Sequence, residues 1–140
     1  VAAGRGLRLV EQRVAGAGTS SYPSVVRLRV GDFDASGTVL FGEPRVIGIG
    51  AFRVDLVPEG RFLVSRHEDR PGVVGRFGTI LGAHDINIAS MQVGRDAPRG
   101  HAMMLLAVDD QVPDVVLNEL RQVHGMSDLR YVELGATDSR

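Results

Sequence analysis

The chain has 140 residues, 44% hydrophobic and 24% charged, with a net charge of −1 and no cysteine. That length allows one ordinary domain or two small ones, and the near-neutral charge gives no electrostatic reason to expect nucleic acid or an anionic membrane as partner. No apolar run approaches the roughly 18 residues of a membrane span, no signal peptide opens the chain, and the lack of cysteine excludes a disulfide frame, a thiolate nucleophile and a Cys-ligated cluster; a cytoplasmic location is expected.

The chain begins at Val1 on what reads as the end of a helix, and it is taken as a fragment. Leu7–Val14 is predicted as a strand, Ala15–Ser21 as a flexible loop by its Gly and Ser content, and Val25–Phe33 as a second strand. Residues 31–37 should turn the chain into a strand over Thr38–Phe41, and Arg45–Ile49 with Phe52–Val57 should form a hairpin. Pro58-Glu59-Gly60 then marks an expected boundary between a partial, strand-rich domain over residues 1–60 and a second domain over 61–140. The second part reads strand Phe62–Ser65, helix Pro71–His84, strands Ile86–Val93 and Ala102–Val108, helix Pro113–His124 and strand Leu129–Leu134. Val73, Phe77, Ile80, Leu81 and His84 recur at helical spacing, as do Val116, Leu120 and Val123, and Gly125 stands where a left-handed C-cap belongs. The fold class is therefore α+β, with a ferredoxin-like βαββαβ second half. Met91, Met103 and Met104 are expected in the core.

The run from His67 to Gly75 carries the most chemistry. Pro71 suits the first position of a helix, where its missing N–H is no loss. The Gly72 and Val73 amides would then point out of the helix unpaired and receive an anion such as a carboxylate, and Gly72 lets a ligand approach the backbone. Asp69 alongside offers a negative charge to an ammonium group, or serves as a local cap. His67 reads equally as a strand-end residue or a contact, Arg70 as a solvated charge or a contact, and Asn87 as a turn residue or a contact. A carboxylate-receiving helix start beside a carboxylate donor fits a free amino acid. Arg45 and Arg53 sit on the predicted hairpin as a candidate phosphate site, since the guanidinium fork suits that anion; solubilising surface charge is the plainer reading. Gly75, Gly78 and Gly82 lie inside the first helix at about 1 kcal/mol each relative to Ala, tolerable if the second helix or a neighbouring subunit packs on them.

His67-Glu68-Asp69-Arg70-Pro71-Gly72-Val73-Val74-Gly75 followed by Asn87-Ile88-Ala89-Ser90-Met91 resembles the ACT domain, a small-molecule sensing module of amino-acid metabolism. Residues 37–46, residues 52–60 and Gly78-Thr79-Ile80-Leu81-Gly82 look like the corresponding parts of long-form D-3-phosphoglycerate dehydrogenases, in which an intervening domain precedes ACT. The resemblance covers nearly the whole chain and is weakest from Val1 to about Val30. It implies that residues 1–60 are the C-terminal part of the intervening domain and 61–140 an amino-acid-binding regulatory domain. By the same resemblance Asn87 approaches the ligand from a strand edge, L-serine is the first candidate ligand, and the whole enzyme oxidises 3-phosphoglycerate with NAD. Asp69 departs from some serine-inhibited members, which carry Asn there.

No catalytic residue is expected on this chain, and no cofactor of its own. The four histidines lack metal-ligand spacing, His-Glu-x-x-His and Gly-x-Ser-x-Gly are absent, and Gly72-x-x-Gly75-x-x-Gly78 lacks the Gly-x-Gly start of a dinucleotide loop. Self-association is expected, because the sheet leaves strand edges unpaired and the glycine-bearing helix invites close packing. The alternatives are the β portion of an iron–sulfur L-serine dehydratase, which resembles the same domain pair, and a stand-alone ACT sensor. An RNA module of the same βαββαβ order would need aromatic residues on its central strands, and Ala102–Val108 has none.

Overall fold

The computed structural model describes residues 22, 24–31 and 33–135. The strand expected over Leu7–Val14 and the loop Ala15–Ser21 lie outside the described residues. Among the described residues the order is β1 (Val26–Val30), β2 (Phe33–Leu40), β3 (Glu43–Ile49), β4 (Phe52–Leu56), β5 (Gly60–Glu68), α1 (Val73–Ala83), β6 (Ile88–Arg95), β7 (His101–Val108), α2 (Asp114–Arg121) and β8 (Met126–Leu134). β1 to β4 form a meander, and the other four strands form a second antiparallel sheet ordered β6-β7-β5-β8. With both helices on one face of that second sheet, the α+β, ferredoxin-like class is the one the chain adopts. None of the helices is long and apolar enough to cross a membrane, among the described residues.

The meander corrects two expected boundaries. The strand predicted over Val25–Phe33 ends at Val30, and Phe33 opens β2 after a tight turn in which Gly31 takes φ +59°. The turn predicted over residues 31–37 is mostly strand, because its small residues serve close approach rather than reversal. A Cβ on Gly37 would lie 3.0 Å from the Arg45 carbonyl oxygen, and the register slips there. Phe41 (φ 52°) and Gly42 (φ 84°) make the two-residue reversal between β2 and β3, both with the positive φ of a type I′ hairpin. The hairpin expected between residues 45 and 57 is present as β3 and β4.

The continuous apolar run of β7, apolar on both faces, explains how the two sheets stack. Along β7, Met104 and Leu106 face the helices, whereas Met103 and Leu105 face the other way. On the helix side Leu63, Phe77, Leu81, Met104, Leu106, Val116 and Leu120 are fully buried, each such side chain contributing about 1.5–3 kcal/mol. On the other side Val54 packs on Met103 and Leu105, with Val46, Ile49, Phe52 and Leu56 around it, so the meander covers the helix-free face. Gln92 of β6 secures this contact: its side-chain oxygen accepts the Asp55 N–H at 2.6 Å and its amide donates to the Asp55 carbonyl. The cover is incomplete on the β2 side, where an apolar groove of about 450 Å³ runs between Phe33 and Ala35 and the Val64, Val132 and Leu134 side chains.

Helix limits also shift. α1 begins at Val73 because Gly72 takes φ +91°, outside the helical region, and turns the chain so that the Val73 side chain enters the core. Pro71 is therefore a turn residue and not the first helical one. His84 does not pack inward as its spacing suggests; it is partly exposed past the helix end and its Nε2 meets Glu119 of α2 at 2.9 Å. α2 stops at Arg121, since Val123 has to turn into the core, and the left-handed Gly125 (φ +87°) serves the turn into β8 instead of capping the helix. Met91 is 45% exposed on edge strand β6, whereas Met103 and Met104 are buried as expected.

Candidate functional site

β5 delivers the loop 69–72 to the N-terminus of α1, and neighbouring turns stitch it in place. The Glu68 N–H donates to the Gly125 carbonyl and the Asp69 N–H to the Gly100 carbonyl, both at 2.9 Å. Arg76 N–H to Gly72 C=O, at 2.9 Å, closes the first helical turn. No side chain caps α1, and its first turn has no acidic residue. The first-turn amides, from Val73 onward, thus keep the donor capacity and partial positive charge of a helix start. A Cβ on Gly72 would meet nothing within 4 Å, so the space over this backbone is open. Gly72 sets the turn into the helix, and its own N–H stands with those of the first turn among the donors that have no partner within the helix.

Beneath the loop lies His67, only 3% exposed. Its Nδ1 is 3.4 Å from the Ser65 hydroxyl, and its Nε2 has no partner among the described residues. Burial pushes the imidazole below its ordinary pKa, against the opposing pull of the Asp69 carboxylate, so the ring is neutral at pH 7. Asp69 is a quarter exposed. Its Oδ2 accepts the Arg99 backbone N–H at 3.0 Å and faces Arg95 Nη1 at 3.4 Å. The Arg99 N–H above all, then Arg95, holds this carboxyl below the usual carboxylate range against its partial desolvation. Asp69 Oδ1 takes no hydrogen bond from the described residues. Arg70 turns to the other side of the loop, ion-paired with Glu68 and 3.1 Å from His124 Nε2.

The structure brings His67, Asp69, Gly72 and Val73 together and leaves Asn87 apart. Asn87 precedes β6, at the end of the sheet where Val108 and Arg61 pair, whereas Asp69 follows β5 at the end where Glu68 and His101 pair. The eight residues of β6, at about 3.3 Å each, put some 25 Å between the two ends. There the Asn87 Nδ2 donates to Asp109 Oδ2 at 2.6 Å, leaving its side-chain oxygen without a partner among the described residues.

Arg45 and Arg53 do not make a joint anion site. Asp55 already fills the Arg45 fork, Nε to Oδ1 at 2.8 Å and Nη2 to Oδ2 at 3.0 Å, and raises its pKa. Arg53 pairs with Gly48 near the Phe52 end of β4, whereas Arg45 lies beyond the Leu56 end. The fork that would receive a phosphate is taken by a carboxylate of the same chain. No group of His, Asp and Glu among the described residues could hold a metal ion.

Sequence reasoning missed Arg95 and Arg99. They belong to the tip Arg95-Asp96-Ala97-Pro98-Arg99-Gly100, which reads as an ordinary hairpin turn. Two arginines at one tip and two carboxylates at Glu68-Asp69 were the available signal, but pairing them requires the β5–β7 register.

Comparison with known proteins agrees with this fold. The model of the ACT domain family matches residues 61–125. The D-3-phosphoglycerate dehydrogenase of Archaeoglobus fulgidus is 40% identical over 96% of the chain, that of Synechocystis 37% over 93%, and that of Bacillus subtilis 38% over 82%. The chain spans about a quarter of the length of these relatives, 26%, 24% and 23% respectively. Residues 61–125 are thus an ACT domain, and the chain is related over most of its length to the C-terminal part of D-3-phosphoglycerate dehydrogenases.

Proposed function

We propose that this chain is the amino-acid-sensing regulatory portion of a D-3-phosphoglycerate dehydrogenase and that it binds a small free amino acid, L-serine first, at the start of α1. In this reading residues 1–60 are the C-terminal part of an intervening domain and 61–140 the sensing domain. The parent enzyme, cytoplasmic and opening serine synthesis, oxidises 3-phosphoglycerate with NAD on domains outside these residues. Effector binding biases those domains through unequal affinity for two states of the enzyme.

One observation carries the proposal: an uncapped helix start lies next to an ionised Asp69 with an unused oxygen, over a buried neutral His67. The ligand carboxylate sits on the first α1 amides and its ammonium faces Asp69. Asn87 joins from a second copy. β6 is one of the two edges of its sheet, and antiparallel pairing of two β6 edges about a two-fold axis brings the Asn87 end of one copy to the Arg95 end of the other. The same face carries Met91 and Val93, each 45% exposed, and the α1 glycines, where an added Cβ would meet nothing within 4 Å. α2 does not fill that glycine stripe, which leaves a second copy to do so.

Calorimetry of the chain with L-serine, glycine and other amino acids tests the reading. L-serine should bind, Asp69→Ala should weaken binding, and Asn87→Ala should cost about 0.5–1.5 kcal/mol, the worth of one hydrogen bond. No heat with any amino acid from a well-folded dimer would leave the domain a purely structural module.

A further inference from the structure

Asp69 is not waiting empty. Its Oδ2 is held by the tip of the β6–β7 hairpin, through the Arg99 N–H at 3.0 Å and the Arg95 guanidinium at 3.4 Å. The tip is built to present that N–H. Asp96 Oδ1 accepts from the Ala97 N–H at 2.6 Å and the His101 N–H at 2.7 Å, folding the turn on itself. Arg99 is then held at φ +59°, a left-handed conformation that an L-residue rarely adopts. A second tie, Asp69 N–H to Gly100 C=O, fastens the same tip from the backbone.

Resting on the effector reading, we propose that Arg95 is an internal stand-in for the ligand's ammonium group. It occupies the electrostatic position beside Asp69 that the ligand must share, so binding is coupled to loosening of the β6–β7 tip. Three features favour a latch that can yield over a fixed structural pair. At 3.4 Å the Arg95 contact is longer than the 2.7–2.9 Å or so of a strong charge-assisted bond. The Arg95 side chain is 58% exposed, so it can swing into solvent. The unused Asp69 Oδ1 gives an ammonium a place to arrive before Arg95 leaves, and the two like charges then repel across one carboxylate. Because Arg95 is the last residue of the edge strand proposed to pair between copies, its release changes that edge as well.

Two measurements test this on the whole chain. Hydrogen exchange reads the latch itself: the Arg99 amide should exchange more slowly than an exposed loop amide and lose that protection in Asp69→Ala. Unchanged Arg99 exchange in Asp69→Ala would overturn the latch whatever the ligand. Calorimetry with L-serine reads the competition. Arg95→Gln, which keeps the stem and removes the charge, should bind several-fold more tightly than the parent chain, and Arg95→Lys should stay close to it. Added L-serine should also speed Arg99 exchange in the parent chain. Equal or weaker binding by Arg95→Gln would overturn the competition and make Arg95 a bystander or a partner of the ligand carboxylate. No binding by either protein, with Arg99 protection still dependent on Asp69, would sink the effector reading and the competition together while the hairpin contact stands.

Discussion

At the residue scale, Gly72 and His67 make the site what it is. Gly72 holds φ +91° in open space, so nothing collides with an added methyl group and the cost of a side chain is purely conformational. Gly72→Ala should therefore lose roughly 1–2 kcal/mol of stability in urea unfolding, and a loss near zero would mean that the α1 start re-forms with another geometry. His67 has its pKa depressed by burial. The unfolded chain then binds more protons than the folded one once the pH drops below about 6.5. Stability should be full above that value and fall as the pH drops toward the folded pKa. His67→Gln, which cannot take the proton, should flatten the slope between pH 7 and pH 5.5 in unfolding curves taken at several pH values. An unchanged slope would place the titrating group elsewhere.

At the scale of elements, α1 carries an apparent defect that has a use. Gly75, Gly78 and Gly82 weaken the helix, and no neighbour among the described residues closes on them. Within one chain Ala should be better: Gly78→Ala is expected to stabilise the monomer by about 1 kcal/mol. If a second copy packs there, the same methyl group holds the two surfaces apart. The expected result is a higher melting temperature at low concentration together with weaker self-association in sedimentation experiments. Stabilisation with unchanged association would move the two-fold contact off this face. The meander and the second sheet hold each other by a similar division of faces, since Met103 and Leu105 point away from the helices and Val54 covers them.

For the molecule as a whole, the proposed ligand site and the hairpin tip lie at the same end of the ferredoxin-like sheet, the end to which the proposed β6 pairing would bring a partner's Asn87. If the site lies between two copies, melting temperature should rise with protein concentration and again with L-serine, the ligand adding about 2.7 kcal/mol at a hundred times its Kd. A melting temperature that responds to L-serine and is independent of protein concentration would place the whole site within one chain.

Period-two alternation of Val26, Leu28 and Val30 with Arg27 and Arg29, the apolar spacing of Val73, Phe77, Ile80 and Leu81, and the glycine-bearing reversals are local signals, and the α+β order of elements followed from them. So did the chemistry of the Asp69–Val73 loop, because a helix start beside a carboxylate is encoded within a few adjacent residues. Boundaries slipped where one residue's φ decided them: Gly31 splitting β1 from β2, and Gly72 delaying α1. What only the tertiary structure decided involves partners far apart in sequence. The β5–β7 register sets the Arg95 and Arg99 tip against Asp69, β3–β4 pairing gives the Arg45 fork to Asp55, and the length of β6 carries Asn87 to the opposite end of the sheet. Alternation tells which face of a strand is apolar, but strand register and the stacking of one sheet on another come from burial summed over the whole chain, which no short window of sequence contains.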